Sequence, residues 1–202
     1  GSCAEASEVA EQFVKQGLID KYVVRHENRG KLEVVLAEAR ASFEDYITIA
    51  DADFLFFQDW EEAIIDIFGA FKRAGVVSCY PCPNLATYYN SAWVWSAKIK
   101  NGKVIPDSEL ELVELGLGNI VGKGIFSGLG VKRKSTWREN QYYIKNKSFT
   151  ACMGATHALA TFKRDIIQKL PFKKVEFVFK NCYEYNYIDF IVEQLGYYRL
   201  ST

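Results

Sequence analysis

The sequence predicts an α/β fold: a sheet with helices packed on its faces. Helix and strand patterns alternate through the first third of the chain, and the strands there are short, apolar runs of strong β formers. Size agrees, since 202 residues, 49% of them apolar, suit a single domain (1–202) with a full core. Residues 4–16 place Val9, Ala10, Phe13 and Val14 at helical spacing and stop at Gly17. Residues 21–25 form a short β-like run. Beyond Gly30, a second helix carries Leu32, Val35, Leu36 and Ala39 on one face. Residues 46–50, Tyr-Ile-Thr-Ile-Ala, read as a strand. Asp59 is expected to N-cap a third helix, with Glu62 completing a capping box and Trp60, Ala63, Ile64, Ile67, Phe68 and Phe71 as its stripe. Residues 75–80 are the next strand.

The second half has a different pattern. Residues 92–100 and 103–105 read as a β-hairpin around a type I′ turn at Asn101-Gly102. Six glycines between residues 115 and 130, followed by a basic, polar stretch to Lys147, predict a long mobile loop or lid. Strands are expected at 148–152 and 157–162. A last helix with Ile188, Ile191, Val192 and Leu195 closes at Gly196.

Composition narrows the function. Lysine plus arginine equals aspartate plus glutamate, 25 against 25, so no global field draws the chain to nucleic acid or an anionic membrane. No apolar run reaches the ~18 residues of a membrane span, and no signal peptide opens the chain. Five cysteines are an odd, sparse set and predict reduced thiols in a cytoplasmic protein, with membrane association left open. Aromatics at 15% suit a groove that stacks on sugar rings, though most are expected in the core.

The chemistry centres on Asp51 and Asp53. A strand runs straight into two carboxylates one residue apart, at the carboxyl end where open α/β sheets bind ligands. Both can face one cation if the chain bends on leaving the strand. Such hard oxygen ligands suit Mg²⁺ or Mn²⁺, with substrate phosphates completing the shell. An isolated Asp-x-Asp is common, however, and more often only ends a strand.

Its surroundings add weight. The stretch resembles the D-x-D motif of glycosyltransferase family 2. Upstream, Asn28-Arg29-Gly30-Lys31 resembles that family's N-x-G-K segment, and Gly1-Ser2-Cys3-Ala4-Glu5-Ala6-Ser7 is similar to its D-D-G-S turn. The likeness covers about residues 1–80 and, more weakly, 150–200. It implies a GT-A fold, three-layer α/β/α with a mixed, mostly parallel sheet. It also implies a chain lacking the family's first strand, helix and second strand, and so binding nucleotide poorly by itself; a cloning scar is the other reading of Gly1-Ser2.

The resemblance implies metal-dependent, inverting transfer of a sugar from a nucleotide-diphosphate donor to a saccharide or glycolipid acceptor. Asp51, Asp53, Lys31 and Asn28 would serve the donor, with the two aspartates on the cation. Residues 148–165 are similar to the family's acceptor side, a small-residue run followed by F-x-R-R. Residues 183–197 resemble its E-D-x-D…G-Y segment, which supplies the catalytic base, yet no adjacent Glu-Asp pair is present. Spacing from Gly196 favours Glu184; Asp189 is the rival. His157 is a candidate third metal ligand, but a strand histidine more often sits in the core or lines an acceptor pocket.

Other signals carry less. Cys79-Tyr-Pro-Cys82 lacks the following helix of a redox motif and the second pair of a zinc site. The run from Gly116 to Gly124 fails as a P-loop, with Leu117 and Gly124 at required positions. Lys132-Arg133-Lys134, with Trp137 and Arg138, suits phosphates but reads first as a solvated loop. Two other classes remain: a non-catalytic carbohydrate-binding or scaffolding module, favoured by the broken Glu-Asp motif, and a sugar nucleotidyltransferase, which wants a glycine-rich basic segment after its first strand.

Overall fold

The computed structural model describes residues 3–27, 30–86, 98–116, 140–171 and 185–202. Gly1, Ser2, Asn28, Arg29, Glu184, most of the first arm of the expected hairpin and most of the expected lid fall outside these. The chain divides into two compact units, Gly1–Val34 and Val35–Thr202.

The first unit is built on α1 (Ala4–Lys15), which ends where Gly17 turns with φ 71°. Its apolar stripe is real, yet it buries no residue. Residues 21–25 are not a strand: among the described residues no strand pairs with them, and the Tyr22 hydroxyl instead donates to Ser7 Oγ at 3.2 Å. Helix α2 (Lys31–Ala41) starts here and continues into the second unit.

Among the described residues, the second unit is a seven-stranded mixed sheet with helices, a GT-A-like α/β arrangement. Its strands are β1 (Tyr46–Ala50), β2 (Ala74–Ser78), β3 (Lys100–Gly102), β4 (Gln141–Lys145), β5 (Thr150–Met153), β6 (Leu159–Lys163) and β7 (Tyr198–Ser201). They lie in the order β1-β6-β2-β7-β5-β4-β3. The βαβ unit read from the sequence is present: β1, then α3 (Trp60–Ala70), then β2. Its two strands run the same way but are not neighbours, because β6 slots between them antiparallel to both. Only β2 and β7 pair in parallel among the described strands, so the parallel share is smaller than expected. A long-range insertion of this kind leaves no trace in local periodicity.

Burial follows position in the sheet. Strands β2 and β7 are buried along their whole length, while the edge strands β1 and β3 keep exposed residues. Ile64, Ile67 and Phe68 of α3 pack with Val77, Ile144, Ala151, Met153 and Leu200 to make the main core. A buried Leu or Ile of this kind stabilises by ~1.5–3 kcal/mol. Helix α4 (Asp107–Gly116) adds Leu110 to a smaller cluster with Ile105 and Cys152. The short α5 (Arg164–Lys169) packs on β6, and α6 (Phe190–Gln194), entered through a π turn at Tyr185–Asp189, packs on β7. No helix among the described residues is long and apolar enough to cross a membrane.

Three local expectations give way to tertiary structure. Asn101-Gly102 is not a turn but part of edge strand β3, paired with Tyr142 and Gln141 of β4. Gln141 fixes the chain beyond it: its Oε1 accepts from the Val104 and Ile105 amides at 2.8 and 2.7 Å. Asp59 precedes α3 in the left-handed region, φ 65°, and makes no side-chain cap, so the expected capping box does not form. At the two ends of the expected 115–147 lid the described residues are regular structure, α4 running to Gly116 and β4 occupying Gln141–Lys145, and the residues between lie outside the described ones.

Candidate functional site

The site lies at the carboxyl end of β1. The Asp51 amide donates to the Ala158 carbonyl at 2.7 Å, which continues the β1–β6 ladder by one residue before the chain turns away. Asp51 is half-buried at this edge and Asp53 is exposed. The chain that follows is held by aromatic contacts. Phe54 stacks on Tyr80 beyond β2, with ring centres 5.6 Å apart, and Phe56 tilts against Trp60 at 4.4 Å. Between and beyond them, Leu55 and Phe57 stand in solvent.

Across the same sheet end, the loop from β5 to β6 presents His157. Gly154 makes the loop possible: its φ is 118°, and a Cβ there would collide with the Cys82 carbonyl oxygen. Its amide donates to the Arg199 carbonyl at 2.9 Å. Buried Ser78, the last residue of β2, accepts from the Thr156 amide at 3.1 Å and donates to the Leu159 carbonyl at 2.8 Å. The loop is therefore tied to both central strands.

Beneath His157 lies a chain of buried charges. His157 Nδ1 is 2.9 Å from Asp189 Oδ2, and the two side chains are 14% and 2% exposed. Arg199 NH1 is 3.7 Å from Asp189 Oδ1, and its Nε donates to Glu193 Oε1 at 2.9 Å. NH1 also donates to the Ala155 carbonyl at 2.9 Å. Arg199 and Glu193 are buried, at 1% and 4% exposure. Burying charge is costly unless paired and hydrogen-bonded, and the guanidinium fork meets that condition on two sides. Asp189 is thus a shielded carboxylate behind His157 rather than one facing the surface.

Sequence reading found Asp51, Asp53, His157 and Asp189 separately; the fold gathers them at one sheet end. Lys31 lies in the first unit, and Asn28 and Glu184 lie outside the described residues. Arg199 and Glu193 were missed. The available signal was a charge amid apolar neighbours: Arg199 between Tyr198 and Leu200, and Glu193 after Val192.

Among the described residues, no three His, Cys, Asp or Glu side chains are grouped to hold a metal ion, so Asp51, Asp53 and His157 are not a ready-made protein cage. Two carboxylates of partial and full exposure fit a different kind of ion, one that keeps waters and takes its remaining ligands from substrate phosphates, as Mg²⁺ and Mn²⁺ do. The thiols are poorly placed for chemistry. Cys79, Cys82 and Cys152 are free, and burial drives each thiol pKa upward, that of Cys152 to about 12. Burial also raises the Tyr80 phenol.

The sequence profile of Glycosyl transferase family 2 matches residues 1–108. More than half of the chain is covered, and the chain belongs to that family. Membership carries the general activity, glycosyl transfer from a nucleotide-sugar donor to an acceptor. The matched stretch holds Asp51 and Asp53 but not His157, Asp189 or Arg199. No curated protein and no solved structure matches the chain.

Proposed function

We propose that the protein is a metal-dependent, inverting glycosyltransferase whose donor diphosphate is held at Asp51 and Asp53. The observation that carries this reading is the pair of carboxylates at the open carboxyl end of β1, inside the stretch matched by the family profile. A divalent cation bound there would neutralise charge building on the leaving diphosphate. Asp53, the more exposed of the two, would meet the ion directly, and Asp51 would contact either the ion or the ribose. Lys31 and Asn28 would add contacts to the nucleotide. An acceptor hydroxyl attacking opposite the diphosphate inverts the anomeric centre in one displacement, and a base must take its proton. Glu184 and Asp189 are the carboxylates the family resemblance offers for that task. The acceptor would be a saccharide or glycolipid, and the setting cytoplasmic.

In the intact protein, Asp53→Ala should abolish Mn²⁺-dependent binding of nucleoside diphosphates measured by titration calorimetry. Binding that stays unchanged would overturn the assignment.

A further inference from the structure

We propose that Tyr80 is a positioning residue for the donor site: by stacking on Phe54, it sets where the neighbouring Asp53 presents its carboxylate. This rests on the reading above, in which Asp53 meets the cation of a nucleoside diphosphate.

Asp53 sits between two ties. The first is the Asp51 amide, which donates to the Ala158 carbonyl at 2.7 Å as the last rung of the β1–β6 ladder. The second is the Phe54 ring, whose centre lies 5.6 Å from that of Tyr80 with the planes inclined at 27°. Only Ala52 and Asp53 lie between the two, and both are exposed. Among the described residues, 52–58 make no backbone hydrogen bond to the sheet. Aromatic contacts therefore hold this stretch, and the one nearest the carboxylate is Phe54 on Tyr80. Adjacent Cα atoms are ~3.8 Å apart, so fixing Phe54 narrows the path open to Asp53.

Tyr80 is the anchored end of that contact. It lies two residues beyond β2, which is buried along its whole length. Two residues further on, the buried Cys82 donates its amide to Ser201 Oγ of β7 at 3.2 Å, and its Sγ lies 3.5 Å from the Tyr80 carbonyl. Tyr80 is thus tied on either side to central strands, while Phe54 reaches it from the loop beyond edge strand β1. An aromatic pair contributes about 2- to 10-fold in an equilibrium constant beyond its buried area. The cation and diphosphate would complete the order that the stack begins.

The test uses the intact protein, with Mn²⁺ and uridine or guanosine diphosphate titrated by calorimetry. Titration well below each variant's thermal midpoint keeps the protein folded, so that lost stability alone does not move Kd. Tyr80→Leu should raise Kd by about 2- to 10-fold. Tyr80→Phe keeps the ring and should bind within twofold of wild type. Phe54→Leu should weaken binding as Tyr80→Leu does. The double variant should be no weaker than either single one, because the same contact is lost in all three.

A rise below twofold in Tyr80→Leu would overturn the proposal; if that variant does not fold, the same rise in Phe54→Leu decides. Losses that add in the double variant would overturn it too, since the two rings would then act separately. So would a loss in Tyr80→Phe equal to that in Tyr80→Leu, which would assign the effect to the hydroxyl. A wild type that binds neither nucleotide with Mn²⁺ defeats the underlying reading instead, before any variant is made.

Discussion

The two halves of the site are built on opposite principles. On one side Asp51 and Asp53 leave an edge strand into a loop held by Phe54 and Phe56, with Asp53, Leu55 and Phe57 exposed. On the other, His157 stands on a loop bonded to two fully buried strands and backed by Asp189, Arg199 and Glu193, all at 4% exposure or less. The carboxylate pair proposed above to take a cation and a diphosphate would gain its order from that ligand. The histidine side carries its order within the fold, and buried ion pairs supply that order at a cost in desolvation.

That contrast can be broken or sharpened by mutation. The largest effect is expected from Arg199→Met, which takes from the buried Asp189 and Glu193 the guanidinium that pairs with both. Loss of one partner from such a network costs about 3–5 kcal/mol, read as a lower urea midpoint. A loss below about 1 kcal/mol would mean that charge does not brace this half.

Next comes Gly154→Ala, which forces a side chain into a positive-φ position and against the Cys82 carbonyl. About 2–4 kcal/mol should be lost, visible in thermal unfolding.

A smaller effect is expected with alkali. Cys82 and Tyr80 have acid groups whose folded pKa lies above the ordinary value because burial disfavours the charged form. Their contribution to stability is complete below the unfolded pKa and is lost as pH rises beyond it. Stability should therefore decline above about pH 8.5, by at most about 1.4 kcal/mol per pH unit for each group. Cys82→Ala should make the decline shallower; a slope that does not change would remove this thiol from the explanation.

The smallest effect belongs to the exposed half. Asp53→Ala, expected to abolish donor binding, should leave folding stability within about 0.5 kcal/mol, as for other exposed positions. A drop as large as that of Arg199→Met would erase the distinction between the halves.

Legibility in the sequence follows the same divide. Residues 46–50 are a strand and Asp51 and Asp53 follow it, as local patterning indicates, because β propensity and an abrupt change to carboxylates are properties of adjacent residues. The last helix, α6, was anticipated from Ile188, Ile191, Val192 and Leu195 and from its close at Gly196, which has φ 83°; the π turn before it was not. Asn101-Gly102 misled, because a turn-forming dipeptide was overruled by pairing with β4, some 40 residues away. Asp59 misled as well: it precedes α3 with a left-handed backbone, φ 65°, and its side chain makes no cap.

By itself, then, the sequence determined the α/β class, the position of β1, and the paired carboxylates within a stretch matched by the family profile. Each of these depends on residues close together in the chain. Tertiary structure decided the rest: that β6 separates β1 from β2, and that Asp189, Glu193 and Arg199 converge behind His157. Ion pairing depends on distance through space: His157 lies 32 positions from Asp189, and Asp189 and Glu193 reach Arg199 only when α6 packs on β7.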